Sequence, residues 1–77
     1  MVYLFRATVA IVGATGWYEI FKDGDIYTCH LVKWNQYQGI GQKIIKIKVG
    51  KRWTHDCTMN QAGEQLIELI KDFENNS

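Results

Sequence analysis

Three groups of residues in this chain carry chemistry. His55-Asp56-Cys57 offers a base, a carboxylate and a nucleophile in consecutive positions. A cysteine near a histidine and a helix start can be held as its thiolate. Cys29 and His30, taken with His55 and Cys57, supply the sulfur and imidazole donors that zinc takes. The third group is dispersed: Trp17, Phe21 and Trp34 recur with Arg6, His30, Lys46 and Lys48. Aromatic rings flanked by cations stack bases and hold phosphates, and the same residue types anchor protein interfaces.

Local geometry weakens the first two groups. Triads are assembled in space, and three neighbouring residues rarely converge on one point. No catalytic residue is assigned, and the chain is read as non-enzymatic. Adjacent strand residues point to opposite faces, so Cys29 and His30 cannot share an ion without a bulge. There is no Cys-x-x-Cys, so no metal and no cofactor are expected. Val9 to Gly16, VAIVGATG, resembles the strand-and-loop start of dinucleotide-binding folds such as semialdehyde dehydrogenases. There the glycines let a backbone approach pyrophosphate at a helix N-terminus. Here Glu19 stands where the next glycine is expected, and Trp17 to Lys22 alternates like a strand. The stretch reads as a hairpin turn.

The elements that must position the third group follow from pattern. A chain of 77 residues builds one core but not a deep active site as well, so residues 1–77 read as one domain. Hydrophobic residues make up 47%, a globular rather than a disordered composition. Strands are predicted over 2–12, 17–22, 26–34 and 43–49, and a helix over 59–74. The turn signals are Gly13-Ala14-Thr15-Gly16 and Asp23-Gly24, the latter fitting a type I′ hairpin. Thr58 and Gln61 have capping-box spacing. Ala62, Leu66, Leu69, Ile70 and Phe73 form the apolar helix stripe. The fold class is α+β: a four-stranded antiparallel meander, open or curled, with one helix on one face (ββββα).

Register assigns the faces. With Asp23-Gly24 as the two-residue turn, Ile20 faces Tyr27, Tyr18 faces Cys29 and Trp17 faces His30. With a four-residue first turn, Ile11 faces Tyr18. One face then collects Tyr3, Phe5, Ala7, Val9, Ile11, Tyr18, Ile20, Tyr27, Cys29, Leu31, Ile45, Ile47 and Val49. It is nearly all apolar and is the face for the helix. The other collects Arg6, Thr8, Trp17, Glu19, Phe21, Ile26, Thr28, His30, Val32, Trp34, Ile44, Lys46 and Lys48. One helix cannot cover both.

The second face is therefore the candidate site: Arg6, Trp17, Phe21, His30, Trp34, Lys46 and Lys48. Gln36, Tyr37 and Gln38 in the loop after strand three are a further candidate contact. Two fates compete with partner binding: the sheet curls the face into a second core, or a homodimer buries it. Net charge is +1, which does not point to non-specific nucleic-acid binding. The basic block Lys43, Lys46, Lys48, Lys51 and Arg52 and the acidic residues Asp56, Glu64, Glu68, Asp72 and Glu74 read as strand and helix attracting one another.

Cys29 and Cys57 read as small buried hydrophobes in a reducing compartment, and the expected location is cytoplasmic. The apolar run from Ala7 to Ala14 is short for a signal peptide, and no segment approaches membrane-spanning length. The order of elements resembles that of small phage-encoded inhibitors such as anti-CRISPR proteins. That resemblance implies a binding module that blocks a host protein complex by surface occlusion. A small curled sheet with a C-terminal helix also resembles archaeal chromatin proteins, which implies nucleic-acid binding. A protein partner is expected first, nucleic acid second and a second copy third; no membrane is expected.

Overall fold

The structure is a computed structural model and describes residues 1–11, 14–35, 43–57 and 60–76. Five strands form one antiparallel sheet in chain order: β1 (Val2–Ile11), β2 (Ala14–Asp23), β3 (Ile26–Asn35), β4 (Ile44–Lys48) and β5 (Thr54–His55). One helix, α1 (Asn60–Asn75), follows. The sheet is not closed, and β1 and β5 are its edges. The expected α+β layout is present, with a fifth strand where four were predicted. Two residues are too few to show alternation in sequence. What holds β5 is backbone satisfaction: the Lys46 N–H donates to the Asp56 carboxylate at 2.7 Å, and the Asp56 N–H donates to the Lys46 carbonyl at 3.1 Å.

Both hairpins are tighter or shifted relative to the sequence reading. Ile11 pairs with Ala14, so Ala14-Thr15-Gly16 is strand and not turn. A ten-residue β1 needs partners for its backbone along its whole length, and small residues supply them. Asp23 pairs with Ile26, which leaves Gly24-Asp25, not Asp23-Gly24, as the central turn residues. Gly24 has φ 64°, and no other described residue has positive φ. Glycine alone at the first central position is the type II′ pattern rather than I′.

Two register shifts move individual residues. Phe5 pairs with Ile20 but Tyr3 with Phe21, so Tyr3 leaves the expected core face for the other. Its ring packs edge-on against Phe21, with centroids 5.5 Å apart. Tyr18 pairs with Leu31 but Trp17 with Lys33 and Gly16 with Trp34. Trp34 is therefore in register with Gly16, out of step with Trp17.

The helix covers the face carrying Tyr18, Ile20, Tyr27, Cys29, Ile45 and Ile47, all buried. Ala62, Leu66 and Ile70 pack on it as the stripe predicts, and Ile67, outside that stripe, is buried too. Leu69 and Phe73 are half-buried, and Phe73 stacks on Phe5 at 4.6 Å. The proposed cap rests on Thr58, which lies outside the described residues. At the helix C-terminus the Tyr27 hydroxyl donates to the Glu74 carboxylate, and Lys22 stands 4.0 Å from that carboxylate. Trp53 stacks near-parallel to Tyr27 at 6.1 Å, with the Lys71 ammonium 5.3 Å above its ring. Trp53 and Lys71 thus close the end of the core.

His55 is half-buried beneath α1. Its Nδ1 is buried and has no hydrogen-bond partner. It pairs with Ile47 and so lies on the helix-covered face. A Cβ on Gly63 would sit 2.5 Å from the His55 ring. Glycine there allows the helix to seat on β5. In an exposed helix Gly→Ala gains about 1 kcal/mol. Here Gly63→Ala is expected to destabilise by about 1–3 kcal/mol in urea unfolding, because the ring must move. His55→Ala in the same chain should recover the helix gain. A single variant more stable than wild type would refute the contact.

Candidate functional site

The second sheet face is uncovered by any described element. Register places its residues in rows across the strands. Thr8, Trp17 and Lys33 form one row; Arg6, Glu19, His30 and Ile44 the next. Tyr3, Phe21, Thr28 and Lys46 follow, then Asp23, Ile26, Lys48 and Thr54. Of the expected site residues, Arg6, Trp17, Phe21, His30, Lys46 and Lys48 share this face. Trp34 does not share their register. Gln36, Tyr37 and Gln38 lie outside the described residues.

The rings make a continuous strip. Tyr3 meets Phe21 at 5.5 Å, and Phe21 meets His30 at 4.9 Å with a 53° tilt. Tyr3 is half-exposed, and Phe21 and His30 are partly exposed. Exposed Ile44, in register with His30 and 47% accessible, makes this face apolar as well as aromatic. The Lys33 ammonium stands 5.8 Å over the Trp17 ring. Tyr3 and Lys33 joined the site through register shifts, which strict alternation cannot anticipate.

Charge is sorted by face. Arg6 is paired with Glu19 at 3.7 Å, so it is largely neutralised. Lys33, Lys46 and Lys48 are exposed on the open side, with the exposed Asp23 in the row of Lys48. Glu64, Glu68 and Asp72 are exposed on the helix. The expected attraction between the basic strand and the acidic helix is not how these groups meet. Lys46 and Lys48 alternate with the buried Ile45 and Ile47 and so point away from α1. Among the described residues no β4 lysine forms an ion pair with a helix carboxylate; the helix pair is Lys22 with Glu74.

Side chains satisfy the backbone at one position near each side of the sheet. On β1 the Gln65 amide oxygen accepts from the Ala10 N–H at 3.0 Å, and its NH2 donates to the Ala10 carbonyl. On β4 Asp56 does the same for Lys46 beyond the short β5. Unplugged edges would template strand addition. Gln65→Ala is expected to cost about 1 kcal/mol and to speed Ala10 amide exchange. Unchanged exchange would mean that Gln65 does not hold this amide in solution.

The thiols read differently from the activated nucleophile that Cys57 beside His55 and Asp56 could have been. Cys29 and Cys57 are buried, and neither is in a disulfide. Burial, with the charges of Asp56 and Cys57 nearby, pushes the Cys29 thiol up to about 12. Burial and the two cysteines push Tyr18 up to about 12 as well. Both groups titrate at lower pH when unfolded, near 9.0 and 10.0. The unfolded chain then sheds protons that the fold retains, so stability falls as pH rises through this interval. The full contribution is present below about pH 9 and is lost as pH approaches 12. Urea midpoints measured from neutral pH upward should drop across that window. At neutral pH a thiol reagent should label Cys29 only on unfolding. Rapid labelling of folded protein would contradict the burial.

Two grooves border these features. One, about 340 Å3, is lined by Thr8, Glu64, Gln65, Glu68 and Leu69 between helix and β1 edge. The other, about 210 Å3, is lined by Ile26, Lys46, Lys48, Thr54, His55 and Asp56 at the end of the open face. No described group of three or more His, Cys, Asp and Glu side chains could hold a metal ion. No described helix is long and apolar enough to cross a membrane. Comparison with protein-family models, curated proteins and solved structures yields no match.

Proposed function

We propose that this chain is a non-enzymatic binding module whose open sheet face docks a macromolecular partner and acts by covering that partner's surface. The observation that carries this reading is the ring strip Tyr3–Phe21–His30, left uncovered while the helix occupies the opposite face. Gln65 caps the β1 backbone at Ala10 and Asp56 caps the β4 backbone at Lys46, so strand addition is disfavoured at those two positions. An apolar and aromatic centre with cations around it has the anatomy of a recognition surface. Inhibition of a protein complex by occlusion, as in small phage-encoded inhibitors, requires only such a face. Two buried cysteines without a disulfide fit a reducing, cytoplasmic setting.

The test compares three immobilised proteins in lysate from the cells that carry the sequence, with and without nuclease. They are wild type, an open-face variant (Phe21→Ala with His30→Ala) and a helix-face variant (Glu64→Gln with Glu68→Gln). The open-face variant is expected to lose at least about ten-fold of the captured partner, as hot-spot truncation does, while the helix-face variant keeps it. Loss confined to the helix-face variant would overturn the reading. Equal sedimentation of wild type and Trp17→Ala as monomers would remove a second copy as the occupant.

A further inference from the structure

Resting on the reading of the open face as the docking surface, we infer that its partner is single-stranded nucleic acid. The ring strip runs across β1, β2 and β3 with each ring in contact with the next. Strand spacing makes that strip about 10 Å wide, room for two or three unstacked bases. Every base has a π-face, so rings on a sheet take bases without needing a particular order. Bases in a duplex keep those faces hidden, which is why the single strand is the ligand.

Cations stand on both sides of the strip. Lys33 is on β3 beside Trp17, and Lys46 and Lys48 are on β4 along the groove that ends at Thr54. A sugar–phosphate chain crossing the rings would meet one set or the other. In that groove Asp56 is turned toward the Lys46 amide, where it accepts a hydrogen bond. The formal charge of +1 hides an excess of cations on this face: Arg6, Lys33, Lys46 and Lys48 stand with Glu19 and Asp23, while Glu64, Glu68 and Asp72 lie on the helix. That local excess favours a polyanion. The same rings and lysines would serve an acidic protein, but the aromatic strip with flanking ammonium groups matches bases and phosphates together.

The probes are fluorescein-labelled oligo(dT) and oligo(U) of about 20 nucleotides, and a duplex of equal length, followed by anisotropy from about 20 to 200 mM salt. Wild type should bind both single strands better than the duplex. Three lysines releasing counterions predict a log–log salt slope of about −2, at roughly 0.7 per phosphate. Lys46→Gln with Lys48→Gln should lower that slope by about 1.4. Phe21→Ala should weaken binding about ten-fold or more at unchanged slope. Thermal melts check that each variant folds, and Tyr3→Ala, at a half-exposed ring, serves if Phe21→Ala does not. Preference for the duplex, or affinity indifferent to both ring substitutions, overturns the inference. If wild type binds no oligonucleotide while lysate capture survives nuclease and depends on Phe21 and His30, the partner is a protein. The open-face reading then stands and this inference falls. If capture fails as well, both fall.

Discussion

A sheet has two faces, and the described residues supply one helix. That imbalance shapes everything else in the molecule. Seating α1 on one face buries Leu66 and Ile70 against Tyr18, Ile20 and Ile45, and it depends on close approach at Gly63 over the His55 ring. In a domain this small the covered face holds nearly all the apolar burial available. The clamp at the other end of the helix, where Glu74 accepts from Tyr27 and Phe73 stacks on Phe5, leaves α1 no freedom to serve the second face. What lies on that second face must be stable while wet, or find a partner.

Alternation made most of this legible in the sequence, for a reason that is partly arithmetic. The first hairpin pairs Ala7 with Tyr18 where Ile11 was expected, and the second pairs Ile20 with Cys29 where Tyr27 was expected. Both errors are even-numbered slips, and an even slip keeps every side chain on its face. The core list and most of the site therefore survived wrong turns. The real losses came from odd shifts: Tyr3 crossed to the open face and Trp34 fell out of step with Trp17. A bulge is set by how strands twist and what packs beneath them, neither of which a period-two pattern encodes. The strand β5 was missed for a related reason. Its pairing rests on one carboxylate, Asp56, reaching the Lys46 amide, and a two-residue strand has no period.

Charge was misread because it was counted along the chain instead of around the fold. Basic and acidic blocks that follow one another in sequence look like mutual partners. In β4, however, Ile45 and Ile47 must enter the core, and this alone turns Lys46 and Lys48 outward on the side away from α1. The hydrophobic demand outweighs the Coulombic one: exposed ion pairs contribute at most about 1 kcal/mol each, whereas burying an isoleucine contributes about 1.5–3 kcal/mol. A nearly neutral chain thereby places more of its lysines on the open face and more of its carboxylates on the helix.

The same competition explains where chemistry could and could not reside. The core captured both cysteines, and burial raises the Cys29 thiol away from reactivity. The aromatic residues on the open face are not loose in the same sense as isolated surface rings. Tyr3 packs edge-on to Phe21, and Phe21 tilts against His30. Each contact restricts its neighbour's rotamers before any partner arrives. Ordering a rotamer-rich side chain on binding costs about 0.5–1.5 kcal/mol, so a strip that is already ordered offers more of its contact energy to the partner. Lys33, Lys46 and Lys48 are exposed, with Lys33 over the Trp17 ring. A packed apolar centre with cations around it is an arrangement that recognises shape at the middle and charge at the rim.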